Sequence, residues 1–161
     1  MMNTKQKPWN RVDQPVYSIS SFAHGKSNMN ICTYAVPVSL KPKQFIVAVY
    51  HGTRTLTNVQ ANPEFLLQYL TRSQARLVNL LGKKSGDRID KMKRLSDEVA
   101  VYNGFHYLRK SMAFVHLRVL SWMPAGDHDC ALCEVVAYKN LNESPPLTLR
   151  ELKKQGIISV K

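Results

Sequence analysis

The chain has 161 residues, 44% of them hydrophobic, and a formal net charge of +12. That length fits one domain with a sizeable core, while no run of about 18 apolar residues marks a membrane span and Met1 to Pro8 lacks the apolar stretch of a secretory signal, so the cytoplasm is the expected setting. The charge admits nucleic acid or anionic small molecules as partners, but no aromatic side chain interleaves with the cations between residues 71 and 101, which argues against a base-stacking platform.

Residues 1–13 are polar and read as an N-terminal arm, with a single domain over 14–161. Pro15 to Ser21 alternates loosely and is the first strand candidate. Ala23 to Asn28 is a turn-rich loop. Asn30 to Leu40 is rich in β-formers, and Pro37 within it cannot donate to a ladder, so this strand bends or sits at an edge there. Lys41-Pro42-Lys43 is a turn, and Phe45 to Tyr50 is a buried strand.

His51-Gly52-Thr53-Arg54-Thr55-Leu56-Thr57-Asn58 follows that strand, and a helix start is expected at Asn62-Pro63-Glu64. Phe65, Leu66, Tyr69 and Leu70 fall at helical spacing. Ser73 is the expected cap of a second helix carrying Leu77, Val78, Leu80 and Leu81, with Gly82 as its stop. Lys83 to Gly104 is polar and irregular, with one further turn near Asp90 to Leu95. Met112 to Trp122 and Cys130 to Leu141 read as two long strands joined by a loop at Pro124 to Asp129. Pro145-Pro146 breaks the second, and Leu147 to Gln155 reads as a short helix stopped by Gly156. Strands, then helices, then strands favour an antiparallel barrel or sheet with helices packed on it over alternating βαβ units.

Four segments carry candidate chemistry. A strand feeding a turn of hydroxyls, backbone donors and one Arg, and then a helix, suits a phosphate, because N–H groups at a helix start lack partners and the dipole favours an anion. Thr53, Thr55 and Thr57 add neutral donors there and Arg54 a planar charged fork. The same residues also suit an ordinary helix cap. Asn30-Ile31-Cys32-Thr33-Tyr34 offers side-chain and backbone groups to the edge of a planar heteroaromatic ring, or is a strand start chosen for β propensity. Lys84-Ser85-Gly86 with Asp90-Lys91 is the third segment, and a surface loop is the plain alternative. In Gly126-Asp127-His128 the Asp can steer an imidazole that titrates near neutral pH, or the three form a polar hairpin turn.

Other sites are absent. Cys32, Cys130 and Cys133 make no disulfide framework. Cys130 and Cys133 sit three apart on an expected strand, so their thiols diverge, and small-residue packing is the favoured role. No phosphate loop of the Walker type, dinucleotide-binding glycine fingerprint, zinc-protease helix or nucleophile elbow is present. No His pair has metal-ligand spacing, so no metal is expected.

Taken in order, the four segments resemble the flavin reductase-like family with the FMN-binding split barrel, which includes flavoredoxins. The resembling stretches are Asn30 to Tyr34, Pro37 to Pro42, Ala48 to Thr55 with Asn58, Leu81 to Gly86 with Asp90-Lys91, and Gly126-Asp127-His128. The resemblance covers roughly residues 14–141. The resemblance implies a mainly β fold with helices, a six-stranded antiparallel Greek-key split barrel with short helices packed on it. It also implies a homodimer and FMN bound near the dimer interface, with FAD as the alternative flavin. Asn30, Ile31, Cys32, Thr33 and Tyr34 would lie along the isoalloxazine ring. Thr53, Arg54, Thr55 and Asn58 would hold the phosphate, with Tyr50, His51 and Gly52 as further cofactor-binding residues. Ser85, Gly86 and Lys91 would approach from the following loop. His128 and Thr33 would tune the flavin and position the donor. Implied function is flavin reduction with hydride from NADH or NADPH, with a monooxygenase or other redox protein as partner. The alternatives are a flavoredoxin-type electron carrier without a nicotinamide site and, less favoured, a basic nucleic-acid-binding module.

Overall fold

A computed structural model describes residues 5–159; the first four residues of the expected N-terminal arm and the last two of the chain lie outside them. The strands are β1 (Tyr17–Ala23), β2 (Lys26–Met29), β3 (Ala35–Ser39), β4 (Gln44–Tyr50), β5 (Glu64–Tyr69), β6 (Val99–Tyr102), β7 (Phe105–Leu108), β8 (Ala113–Ala125) and β9 (His128–Asn140). The helices are α1 (Arg54–Ala61), α2 (Val78–Lys83), α3 (Lys91–Arg94) and α4 (Leu149–Lys154), with short 3-10 turns at Pro8–Asn10 and Arg72–Leu77. Seven strands form one antiparallel sheet in the order β2-β1-β5-β8-β9-β4-β3, and β6 and β7 make a separate hairpin.

The sheet closes on itself through its edge strands. After β2 the chain passes back across β1, where Tyr17 and Cys32 exchange both backbone hydrogen bonds at 2.8 Å. It then meets β4, with Ala48 N donating to Tyr34 O at 2.8 Å, and continues as β3. The sheet therefore has seven strands rather than the expected six. What reads as one strand over Asn30 to Leu40 starts late, at Ala35, and the stretch before it is shared between two neighbours. Pro37 falls where β3 shifts register against β4, and β3 is an edge strand, as a residue without an N–H requires.

The core has two main parts. Ile19, Val47, Val49, Phe65, Leu67, Leu117, Ala131 and Cys133 fill the barrel. Val16, Met29, Leu70, Leu77, Leu81, Leu108, Leu147 and Leu152 pack beneath the helices at one end. Full burial of each large side chain contributes about 1.5–3 kcal/mol.

The sequence expectation fails at one important place. Phe65 to Leu70 is not a helix; Glu64–Tyr69 is β5, paired with β1 and β8. Phe65 and Leu67 point into the barrel, while Leu66 packs with Phe105 and Phe114 on the other face. A strand buried on both faces shows a continuous apolar run, and its spacing imitates a helix. The helix lies upstream as α1, inside the threonine-rich turn. Thr71 rather than Ser73 opens the next helical segment, in a capping box with Gln74. Gly82 falls within α2 rather than ending it. Lys83 to Gly104 is less irregular than expected: it holds α3, capped by Asp90, and β6. The β8–β9 turn is also tighter than the expected loop, with Gly126 at a φ of 65°.

Candidate functional site

β4 ends at Tyr50 and turns through Gly52, at a φ of 71°, into α1. Thr53 caps this helix. Its Oγ1 accepts from Leu56 N at 3.2 Å and donates to Tyr50 O at 2.8 Å, so the capping role claims this hydroxyl. The N–H groups of Arg54 and Thr55 follow it and have no partner within the helix. Both residues line a cavity of about 430 Å³. The Arg54 guanidinium pairs with Asp87 from the loop after α2. Its Nε is buried and has no hydrogen-bond partner.

The facing wall comes from Asn30, Ile31 and the segment from Leu81 to Gly86, with Lys91 beneath. Lys91 is buried, and its Nζ donates to Met29 O at 2.8 Å and Leu81 O at 2.9 Å. Burial pulls its pKa down to about 8. Two glycines allow close approach here. A Cβ at Gly82 would lie 3.2 Å from Ile31 Cγ1, and one at Gly86 would overlap the Asn28 amide oxygen. Asn28 Nδ2 donates to Thr55 Oγ1 at 3.0 Å, which ties β2 to the start of α1.

Of the residues singled out in the sequence, Asn30, Ile31, Tyr50, Gly52, Thr53, Arg54, Thr55, Ser85, Gly86 and Lys91 line this one cavity. The others lie elsewhere. Cys32 is turned into the barrel, and burial pushes its thiol up to about 12. Thr33 and Tyr34 line a separate pocket of about 420 Å³ beside Ala48 and Cys130. His51 Nε2 lies 3.0 Å from Asp129 Oδ1. Asn58 is buried behind α1, where its Nδ2 donates to Ser21 Oγ and Lys26 O, both at 3.2 Å. His128 packs between Tyr34 and Tyr50, with ring centroids 5.2 and 5.1 Å away, and its Nδ1 sits 2.6 Å from Asp127 Oδ1. Tyr50 thus joins the His128 cluster to the cavity wall.

Leu81, Gly82, Lys83 and Lys84, which belong to the resembling stretch but carry no assigned role in the sequence, also line the cavity, as does Asn28, and Asp87 holds Arg54. Asn28 is a poor β-former at a strand end, a signal of a local task. Nothing in the sequence pairs Asp87 with Arg54. The cysteines behave as strand geometry predicts: Cys133 is in the core with its thiol raised to about 12 by burial, and Cys130 is half-buried and lines the Tyr34 pocket. Among the described residues, no three His, Cys, Asp or Glu side chains gather where a metal could sit, and no helix is long and apolar enough to cross a membrane.

Comparison with solved structures gives likeness across most of the chain at low identity. An FMN-binding protein from Thermus thermophilus, solved with bound 1-cyclohex-2-enone, is 19% identical, with a TM-score of 0.74 over 87% of this chain and 78% of that one. Flavoredoxin from Methanosarcina acetivorans is 16% identical, with a TM-score of 0.74 over 94% and 82%. The flavin reductase component of a bacterial two-component tryptophan halogenase is 14% identical, with a TM-score of 0.77 over 88% of each chain. No curated protein matches the sequence. The family model for the flavin reductase like domain matches residues 9–156, and on that match the chain belongs to the flavin reductase-like family.

Proposed function

We propose that this chain is an FMN-binding flavoprotein, a single domain over residues 14–161, that reduces bound or free flavin with NADH or NADPH in the cytoplasm. The observation that carries the reading is the start of α1. The first N–H groups of α1, which have no partner within the helix, and a guanidinium with an unpartnered buried Nε belong to residues that line one cavity, which is the donor set a phosphomonoester needs.

FMN, when bound, supplies the atom that accepts a hydride from the nicotinamide dinucleotide. Arg54 and the amides of Arg54 and Thr55 hold its phosphate. Asn30 and Ile31 present polar groups to the ring edge, and the apolar side chains of Ile31 and Leu81 exclude water from it. Lys91 fixes the cavity floor. Asp127 accepts from Nδ1–H of His128, which sets the imidazole tautomer and leaves Nε2 as the free ring nitrogen. Thr33 and His128 are the proposed tuning and donor-positioning residues, acting from the Tyr34 side of Tyr50.

The family resemblance and the exposed apolar strip support a homodimer. Val36 and Val38 of the edge strand β3, and Tyr34 and Leu40 on either side of it, are all more than 45% exposed, an apolar edge that a lone monomer rarely leaves bare. Such a reductase would hand reduced flavin to a monooxygenase or other redox partner.

The test is spectroscopic. Purified protein mixed with FMN is titrated anaerobically with NADH and, separately, NADPH. Bleaching of the flavin band within seconds supports the reductase. Tight FMN binding without bleaching supports the electron carrier instead. A colourless protein that takes up no FMN removes both readings, and steeply salt-dependent binding to oligonucleotides would then favour the nucleic-acid module.

A further inference from the structure

A second cavity, of about 420 Å³, adjoins the Arg54 cavity. The two meet at Gly86, which lines both and lies directly against Asn28 and Arg54. Their linings are strongly one-signed. Together they hold six Lys or Arg side chains and two Asp, a surplus of four positive charges out of the chain's +12. Both carboxylates are engaged: Asp87 by the Arg54 guanidinium, and Asp90 by Lys93 N at 3.0 Å as the cap of α3. Among the cations, Arg54 has Asp87, and Lys91 is buried against two carbonyls. The other four, Lys26, Lys83, Lys84 and Arg88, are exposed and form no ion pair among the described residues.

Position divides these four. Lys83 and Lys84 line the Arg54 cavity itself, whereas Lys26 and Arg88 line only its neighbour. An exposed cation that does not touch a seated ligand adds little to its retention, because water screens the pair. Its field still reaches outward, over a Debye length of about 10 Å at 0.1 M salt and about 30 Å at 0.01 M. Cations gathered at a concave mouth raise the local concentration of an anion, and with it the on-rate.

We propose that the cavity beyond Gly86 is the electrostatic approach to the Arg54 cavity, where Lys26 and Arg88 speed the entry of a phosphate-bearing ligand without holding it once seated. The inference rests on the FMN reading of the Arg54 cavity. A phosphomonoester carries a charge of about −1.5 to −2 at pH 7, while riboflavin has the same ring and no phosphate, and so serves as the uncharged probe.

Stopped-flow quenching of flavin fluorescence on mixing with flavin-free protein gives the association rate, and dilution of the complex gives the dissociation rate. Both are measured between about 10 and 300 mM NaCl, a range over which screening sets in. The FMN association rate should fall about tenfold across that range in the parent, and that of riboflavin by less than about twofold. At low salt Lys26→Glu/Arg88→Glu should slow FMN entry about five- to tenfold, with dissociation changed less than about twofold. Lys43→Glu/Lys139→Glu makes the same change in net charge at exposed positions, at the ends of β4 and β9 away from Tyr50 and His128. It should leave FMN entry within about twofold of the parent. Circular dichroism verifies that both variants are folded. A salt-independent FMN rate, equal slowing by both variants, or faster dissociation from Lys26→Glu/Arg88→Glu with entry unchanged each overturns the proposal and leaves the FMN reading standing. Failure of FMN to bind at any salt removes the Arg54-cavity reading and the proposal with it.

Discussion

Lys91 donates from its ammonium to the Met29 carbonyl at 2.8 Å, and through this bond the end of β2 is tied to the α3 segment under the cavity. The same ammonium serves Leu81 O, so one buried charge fixes both walls. The amine titrates in the folded protein at about 8, against an ordinary 10.5, because burial disfavours its charged form. Below the folded value both states are protonated and the burial cost is fully present. Between about 8 and 10.5 the unfolded chain holds more protons, so stability rises with pH through that window. Denaturant melts at pH 7.5 and 10.5 should show this rise in the parent and its loss in Lys91→Met. An identical pH slope in both proteins would contradict the assignment.

Arg54→Ala should weaken FMN retention by about 10- to 100-fold, since a charge-assisted fork is lost from the phosphate. The rate at saturating FMN should change much less. Gel-filtration retention of colour and a fluorescence titration measure the first effect, and a saturated turnover assay the second. If the variant holds FMN as tightly as the parent, the phosphate lies elsewhere.

Gly86→Ala places a methyl group against the Asn28 amide, which is itself engaged with Thr55. The loop must shift away from α1, carrying Ser85 and Asp87 with it. FMN affinity should fall about tenfold with a stability loss of only about 1 kcal/mol, because the loop is outside the main core. Comparable losses of affinity and stability would point to a general unfolding effect instead.

Glu64 accepts from His116 Nε2 at 2.8 Å and Arg118 Nε at 2.9 Å. Partial burial raises its pKa, but these two bonds outweigh that and hold the carboxyl below its ordinary 4.5. A carboxylate depressed in the folded state contributes stability above the ordinary value and loses it as pH falls through the folded one. Glu64→Gln should therefore destabilise the protein by about 1–2 kcal/mol at pH 7 and flatten the acid limb of its stability curve. Thermal melts from pH 7 to 3 provide the comparison.

Cys32 and Cys133 have thiols raised to about 12 by burial, whereas Cys130 is only half-buried. Iodoacetamide at pH 8 should alkylate Cys130 first and leave the other two until the protein unfolds. Peptide mapping by mass spectrometry would reveal early labelling of Cys133, the outcome that contradicts this placement.

What could be read from the sequence, and what could not, follows from how each segment is buried. β4, β8 and β9 were legible because each is a long apolar-rich run bounded by turn residues. β5 was misread as a helix because it is buried on both faces and has lost its alternation. α1 was missed because its buried face includes Thr55 and Asn58 as well as Leu56 and Val59, so the polar residues hid the helical stripe. The β6–β7 hairpin carries a local signal in its turn. Asn103-Gly104 takes φ values of 48° and 83°, the paired left-handed turn that Asn-Gly favours. Within the site, the residues on the α1 turn and the Ser85-Gly86 loop were legible as donors and close-approach glycines. The opposite orientation of Cys32, and the removal of Asn58 behind the helix, depend on which way each side chain points after the chain crosses β1, and no local pattern encodes that.

The cavity draws on four stretches of chain, around Asn30, Arg54, Gly86 and Lys91, that lie far apart in sequence and are neighbours only in the folded barrel. A ligand that recognises only the finished barrel also draws the folding equilibrium toward it by mass action, so the amides of residues 30–34 should be among those whose hydrogen exchange slows most when the site is filled.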